Sequence, residues 1–126
     1  MKLKLSALLT ISSFLFVGCS STDSRISLVQ NGSMEACPDA TVKEMVNNLV
    51  DSPKWSAFVA DDNEDYVNVE GSIEYLEQPV DMLLQFNVDT KKETFEINYL
   101  GFNEISQNIF MQSLLMEEMC AVSSKK

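Results

Sequence analysis

The sequence predicts a small α+β domain in which a four-stranded antiparallel meander is flanked by an N-terminal and a C-terminal helix. Three observations lead to this expectation. An amphipathic stripe of period 3.6 precedes an alternation of period two, and the chain closes with an apolar segment that lacks Pro and Gly. The connections between the alternating segments are too short for crossover helices, so neighbouring strands are expected to be antiparallel. The predicted order of elements is α-β-β-β-β-α.

The first predicted helix lies in residues 41–50. Thr41 and Glu44 have the spacing of a capping box, and Pro53 follows as a signal for the helix end. Cys37 comes just before this helix. Apolar residues recur at the spacings of one helix face: Val42, Met45, Val46, Leu49 and Val50.

Four strands are expected in the middle of the chain. Residues 54–60 form the first, and the acidic segment 61–65 follows as a turn. Gly71, in the middle of the second strand, is typical of a bulge. Turns are predicted at residues 77–79 and 89–93. The inward positions of strands two to four are expected to be Val67, Val69, Ile73 and Tyr75, then Val80, Met82, Leu84, Phe86 and Val88, then Phe95, Ile97 and Tyr99.

The last predicted helix, within residues 103–122, is apolar on two sides. One side is expected to lie on the sheet and consists of Ile105, Ile109, Met116, Met119 and Cys120. Either the first helix covers the other side, or that side is a contact surface for a partner. The possible partner surface consists of Phe110, Met111, Leu114 and Leu115.

The composition is acidic and has no histidine. The 126 residues include nine Lys and Arg against nineteen Asp and Glu, for a net charge of −10. Such a surface repels phosphate backbones, so nucleic-acid binding is not expected, whereas a cationic partner would be attracted. Solubility is the simpler interpretation of the same charge. The absence of histidine removes Ser-His-Asp and Cys-His catalysis and the commonest zinc ligand.

The N-terminus has the layout of a secretory signal peptide. Lys2 and Lys4 precede an apolar run over residues 5–17, which is too short to span a bilayer comfortably. An uncleaved membrane anchor is the alternative interpretation. The run ends in Leu15-Phe16-Val17-Gly18-Cys19.

This ending resembles the lipobox of bacterial lipoproteins, with Phe16 where that family usually has Leu. The resemblance covers about the first nineteen residues only. It implies cleavage before Cys19, a diacylglyceryl group on its thiol and palmitate-type acylation of the new amino terminus. Two or three such chains hold a protein stably at a membrane. Ser20 after the cysteine implies sorting to the inner leaflet of the outer membrane, facing the periplasm.

Assigning Cys19 to a lipid leaves an even number of cysteines. Cys37 and Cys120 would then lie in a compartment where disulfides form, and a bridge between them would close a loop of about eighty residues. Two free buried thiols are the alternative.

The domain organisation follows from these assignments. Residues 1–18 are expected to be a signal peptide and residues 19–36 a lipidated, flexible tether. Within the tether, the apolar residues 26–29 either pack locally or add to a sheet edge. Residues 37–122 are expected to form a single α+β domain, and residues 123–126 a solvated tail.

Three groups of residues were weighed as chemical sites. Asp61, Asn63 and Asp65 match the first ligands of an EF-hand loop, but Tyr66 and Ser72 stand where that loop needs Gly and Glu. A solvated hairpin tip is the expected interpretation, and a weak, irregular calcium site is the alternative. The carboxylates of the strands are expected to face water, which argues against a hydrolase pair. The aromatic residues are expected to pack rather than to line a groove. The carboxylates considered are Glu70, Glu74, Glu77, Asp81 and Glu96. The aromatic residues considered are Trp55, Tyr66, Tyr75 and Tyr99.

The sequence therefore predicts a non-enzymatic lipoprotein of the bacterial cell envelope, without metal or cofactor. Its small acidic domain would bind another envelope protein or assist envelope assembly. The alternative is a periplasmic inhibitor or immunity protein that binds a cationic hydrolase. An enzyme or small-ligand carrier is the weakest hypothesis, because catalytic groups are lacking.

Overall fold

The structure is a computed structural model that describes residues 23–124 of the chain. Within these residues it contains three helices and one five-stranded antiparallel sheet, so the mixed α+β class is confirmed. Cys19 and the predicted signal peptide lie outside the described residues. The helices are α1 (Ser24–Asn31), α2 (Val42–Leu49) and α3 (Ile109–Ser124). The strands are β1 (Asp51–Val59), β2 (Asp65–Tyr75), β3 (Gln78–Asp89), β4 (Thr94–Phe102) and β5 (Ile105–Ser106).

The sheet is a meander in which the strand order β1-β2-β3-β4-β5 follows the chain. The short turns between the strands make this order the natural one. One face of the sheet carries the core. Its buried side chains are Val67, Val69, Ile73, Met82, Leu84, Phe86, Val88, Leu100 and Phe102.

The α1 helix differs from the predicted flexible tether. Asp23 caps this helix by accepting a hydrogen bond from the backbone N–H of Arg25 at 2.9 Å. Val29 is fully buried, and α1 packs against β1, β2 and β3. A helix of eight residues is marginal in isolation, so its stability comes from this packing rather than from its own sequence.

The α2 helix forms as its sequence predicts. Thr41 Oγ1 accepts from the N–H of Glu44 at 3.1 Å, and Glu44 Oε1 accepts from the N–H of Thr41 at 2.9 Å. This reciprocal capping box satisfies two backbone donors at the helix start. Val42, Met45 and Val46 are buried, as the stripe requires.

Gly71 lies where β1 makes its bulge. The register between β1 and β2 shifts between Asp51 and Lys54, and Ser52 has a φ of 52°. A Cβ on Gly71 would lie 2.9 Å from the carbonyl oxygen of Asp51 and would collide with the side chain of Val50. The bulge is thus on the strand opposite the glycine, and the glycine makes room for it.

The β4 strand carries a second bulge, which corrects the predicted position of Tyr99. Phe86 pairs with Ile97 and Gln85 with Tyr99, so Asn98 is the extra residue. The extra residue reverses the side-chain alternation beyond it. Tyr99 therefore lies on the open face of the sheet, and Leu100 takes the inward position.

The C-terminal segment also differs in detail from the prediction. Asn103 and Glu104 have φ values of 50° and 71° and turn the chain back on β4. Ile105, which was predicted to lie in the last helix, therefore belongs to β5. The sheet thus has five strands instead of the four predicted from the sequence. The α3 helix begins only at Ile109 and continues to Ser124, into the segment predicted as a solvated tail.

The three helices share one side of the sheet. The α1 helix lies nearest to the strands, and α2 packs against both α1 and α3. Because α2 packs on α3, it covers part of the apolar surface of α3. Cover by the first predicted helix was one of the two alternatives for the second apolar side of this helix. Between Ile109 and residue 121, the buried residues of α3 are Leu115, Met116 and Met119.

Candidate functional site

The first turns of α3 leave apolar side chains in contact with water. The side chain of Asn108 accepts a hydrogen bond from the N–H of Met111 at 2.9 Å and so begins the helix. Ile109 is 73% exposed, Phe110 66% and Leu114 41%. Ile105, which precedes them in β5, is 67% exposed. We call Ile105, Ile109, Phe110 and Leu114 the contact surface.

The contact surface overlaps only in part with the one expected from the sequence. Phe110 and Leu114 are exposed as predicted, whereas Leu115 is buried and Met111 packs against the core. Ile105 and Ile109 were expected to lie on the sheet and instead face water. Asn108 is the sequence signal that would have corrected the predicted start of this helix, because Asn is a preferred N-cap residue. Since the helix begins only at Ile109, Ile105 belongs to none of its faces.

A pair of cysteines connects α3 to the segment before α2. The sulfur atoms of Cys37 and Cys120 lie at disulfide-bonding distance, and their Cα atoms are 5.7 Å apart. Cys37 is buried, and Met34 forms a β-bridge with it. The pair holds α3 against the rest of the domain from its C-terminal half, and the contact surface projects from the opposite end of the helix.

A groove runs beside the contact surface, between the edge of β4, α3 and residues 32–36. Its volume is about 870 Å³. Phe95 and Ile97 of β4, Met116 of α3 and Met34 supply its apolar lining. Ile109 of the contact surface also lines it, so the groove and the contact surface are continuous.

The rim of this groove is acidic. Four exposed glutamates border it: Glu35, Glu93, Glu96 and Glu117. Glu96 alternates with Phe95 and Ile97 along β4, so its carboxylate projects from the other face of the same edge. None of the Lys and Arg residues between positions 23 and 124 lines the groove, and Lys91 and Lys92 lie in the turn before β4. A cationic ligand would be attracted to such a rim.

The open face of the sheet is a polar surface. The side-chain amide of Gln85 donates to Asn68 Oδ1 at 3.0 Å, and Asn98 Nδ2 donates to Gln85 Oε1 at 2.6 Å. These bonds form a row of amides across β2, β3 and β4. An adjacent shallow cleft, lined by Tyr99 and Leu83 among others, has a volume of about 690 Å³.

The carboxylates of the strands face water, as predicted. All five considered for hydrolase chemistry are exposed: Glu70, Glu74, Glu77, Asp81 and Glu96. Among the described residues no polar or charged side chain is buried. Burial and close charge partners are what usually tune a catalytic acid or base, so this part of the chain offers no pair of that kind.

The aromatic residues do not gather in one groove. Trp55 packs against the core, and Tyr75 contacts Phe102 with ring centroids 5.4 Å apart. Tyr66 stacks on Phe58 at 5.5 Å on the open face. Packing, as predicted, accounts for Trp55, whereas Tyr75 was predicted to face inward and is 36% exposed at the end of β2.

The acidic turn between β1 and β2 is organised by its own hydrogen bonds. Asp62 accepts from the N–H of Glu64 and from the hydroxyl of Tyr66, both at 2.9 Å. The bond to Asp62 favours the neutral phenol and raises the pKa of Tyr66. In the described part of the chain, no three His, Cys, Asp or Glu side chains are close enough together to hold a metal ion.

Arg25 links α1 to the start of β2. It forms ion pairs with Asp23 at 2.8 Å and with Asp65 at 2.9 Å. Its hydrogen bonds to Asp23 lower the pKa of that carboxyl. From residue 23 to residue 124 no other Lys or Arg forms an ion pair, so most of the carboxylates there have no cationic partner in the domain.

Comparisons with known protein families, curated proteins and solved structures found no match for this chain. Among the described helices, none combines the length and the apolar character needed to cross a membrane.

Proposed function

We propose that this protein is a non-enzymatic, lipid-anchored protein of a bacterial cell envelope and that its domain binds another envelope protein. The observation that carries the proposal is the contact surface, in which Ile105, Ile109 and Phe110 are each about two-thirds exposed or more. Burying a large apolar side chain contributes about 1.5 to 3 kcal/mol, so a partner that covers this surface gains substantially.

The anchor is proposed on the residues that precede the domain. The lipobox-like ending at Cys19 would place acyl chains five positions before Ser24, where α1 begins. An extended chain spans at most about 3.5 Å per residue, so the domain would stay within about 20 Å of its lipid. A partner is then expected at or near the same membrane, which we propose to be the outer membrane.

Acylation is tested by mass spectrometry of the protein recovered from the membrane fraction. The expected result is a chain that begins at Cys19 and carries the mass of a diacylglyceryl group and an acyl chain. A Cys19→Ser variant should leave the membrane fraction. Recovery of the uncut chain from the cytosol would contradict the proposed location.

Partner binding is tested by photo-crosslinking in cells. A photoreactive phenylalanine analogue is placed at Phe110 or, as the matched control, at Phe58. Both are exposed phenylalanines, but Phe58 lies on the open face of the sheet. A discrete crosslinked species should form at Phe110 and not at Phe58. No adduct at Phe110, or the same adducts at both positions, would count against the proposal.

A second candidate function is inhibition of a cationic hydrolase. It is favoured by the charge of the described domain, in which nineteen Asp and Glu stand against five Lys and Arg. Capture of a basic hydrolase that weakens as salt is added would support it. Unchanged hydrolase activity in excess of this protein would exclude it.

A further inference from the structure

We propose that the groove beside α3 binds an extended, lysine- or arginine-rich segment of the partner protein, which pairs as an added strand with the free edge of β4. This inference rests on the proposed function, since it assumes that the domain binds a protein. It specifies the chemistry of the partner and the place where it docks.

The first argument is the free edge of β4. On its outer side β4 pairs with β5 only at Gly101 and Phe102. The backbone of residues 94–98 makes no hydrogen bond on that side to any residue that the structure describes. Such an edge is a ready template for an incoming strand.

The other edge of the sheet is interrupted near its start, and only residues 54–59 of β1 continue regularly beyond the interruption. In β1, Pro53 lacks the N–H that a ladder needs, and the bulge between Asp51 and Lys54 interrupts the strand. The bulge of β4 lies at Asn98, at the end of its open stretch rather than inside it. Residues 94–97 thus remain regular and unpaired on their outer side.

The second argument is the apolar lining that accompanies this edge. An added strand places alternate side chains on one face, where they would meet Phe95, Ile97, Met34 and Met116. Phe95 is held in place from behind, because it packs edge-on against Phe86 and leaves no room for a side chain at Gly32. The lining is therefore a fixed surface on which apolar side chains of the incoming strand can rest.

The third argument is charge, which decides the occupant. The rim carries Glu35, Glu93 and Glu117 on the groove side of the β4 edge and Glu96 on its other face, and no ion pair involving any of the four is present in the described structure. A second copy of this chain would bring its own Glu93 and Glu96 against them, and like charges across an interface oppose association. A basic segment is attracted instead, because carboxylates lie on both faces of the edge with which it would pair.

The test uses fluorescence anisotropy with the full membrane-extracted protein in detergent. The probe is a short labelled peptide of alternating lysine and valine, whose valines would face the apolar groove and whose lysines, on the other face of the added strand, would lie beside Glu96. One control peptide carries N-methyl groups on alternate backbone nitrogens, which removes strand pairing and keeps the charge. The other replaces every lysine with glutamate.

Two protein variants locate the site. Glu96→Lys/Glu117→Lys reverses two charges on the groove rim. Glu70→Lys/Glu74→Lys makes the same change in net charge on exposed residues of β2 and is the matched control. All four side chains are exposed, so circular dichroism should show both variants folded.

The expected result is binding of the lysine–valine peptide that weakens at least about tenfold on N-methylation and at least about tenfold in the groove variant. The β2 control variant should change binding by less than about twofold. The proposal is overturned if the peptide does not bind, if the N-methylated peptide binds as well, or if both protein variants weaken binding equally.

The outcome is separable from that of the proposed function. If the Phe110 crosslink forms in cells and persists in the Glu96→Lys/Glu117→Lys variant, the domain binds a partner but not through this groove. If the crosslink is absent in the unaltered protein, the proposed function itself fails.

Discussion

Gly71 shows how one missing side chain accommodates an irregularity in the neighbouring strand. Its φ is not in the left-handed region, so conformational freedom is not the reason for the glycine. The reason is steric, since the backbone of Asp51 and the side chain of Val50 occupy the space that a Cβ would need. The sequence alone suggested a bulge here, but only the pairing shows that the bulge is on β1.

Replacing Gly71 with Ala is expected to lower the free energy of unfolding by about 1 to 3 kcal/mol, because the backbone of β1 would have to move. Urea denaturation followed by circular dichroism measures the change. Ser72→Ala, at the next position of β2, is the control and should change stability by less than about 0.5 kcal/mol. Equal midpoints for the two variants would show that β1 can shift at no cost.

Tyr66 and Asp62 form a small pH-dependent unit at the tip of the β1–β2 turn. Because the phenol donates to a carboxylate, its folded-state pKa is raised. A group with a raised pKa contributes stability below its unfolded pKa, about 10 for tyrosine, and that contribution is lost as pH rises through the folded pKa.

In an Asp62→Ala variant the pKa of Tyr66 is expected to fall toward the ordinary tyrosine value, since both the hydrogen bond and the nearest negative charge are removed. The assignment is made by NMR titration of the Tyr66 ring between about pH 8 and pH 12. Tyr99, for which Asp62 is not a hydrogen-bond partner, serves as the internal reference. An unchanged Tyr66 titration would mean that the hydroxyl is bound to water rather than to Asp62.

The elements of the fold are joined by turns that tolerate unusual residues. Leu76 and Glu77 form the β2–β3 turn with φ values of 55° and 65°, where Asn and Gly are the preferred residues. The turn predicted at residues 77–79 thus lies at residues 76–77, and Gln78 and Pro79 belong to β3. The pairing of Ile73 with Val80 and of Tyr75 with Gln78 requires this turn.

The pair Cys37 and Cys120 stabilises the packing of separate elements of the fold. It joins α3 to the segment before α2 across a sequence separation of 83 residues. A cross-link that closes a loop of this length is expected to stabilise the domain by about 4 kcal/mol, chiefly by restricting the unfolded chain.

A Cys37→Ser/Cys120→Ser variant should therefore unfold at a markedly lower urea concentration, with a loss of about 4 kcal/mol. The unaltered protein under reducing conditions should lose a similar amount. If the reductant leaves the unfolding midpoint of the unaltered protein unchanged, the two thiols are not bridged in solution.

The whole molecule carries a large excess of negative charge. Because all nineteen acidic residues fall in the described domain and only Arg25 forms ion pairs there, carboxylates repel one another over most of its surface. Self-repulsion of this kind destabilises the compact state. It also leaves the charge available to a cationic partner.

Sodium chloride is expected to stabilise the domain against urea, by about 1 kcal/mol between low salt and roughly 0.5 M, because it screens this repulsion. A Glu70→Gln/Glu74→Gln/Glu77→Gln variant should respond less. General salting-out acts on both proteins alike, so the difference isolates the charge effect. The same salt response in both would argue against self-repulsion.

Local patterns in the sequence were sufficient for α2 with its capping box, for the alternation of β2 and β3, and for the turn at residues 89–93, where Asp89 Oδ1 accepts from Lys91 and Lys92. Each of these depends on residues a few positions apart. The physical preference is therefore already present in the order of the side chains.

Tertiary structure alone decided the features on which function depends. Val29 is buried because the sheet lies under α1, Tyr99 faces outward because of the bulge at Asn98, and Leu115 rather than Ile109 is covered because α3 starts at Ile109 and packs on α2. These outcomes depend on contacts between residues far apart in the chain. No local period encodes them, since periodicity shows which side chains share a face but not what covers that face.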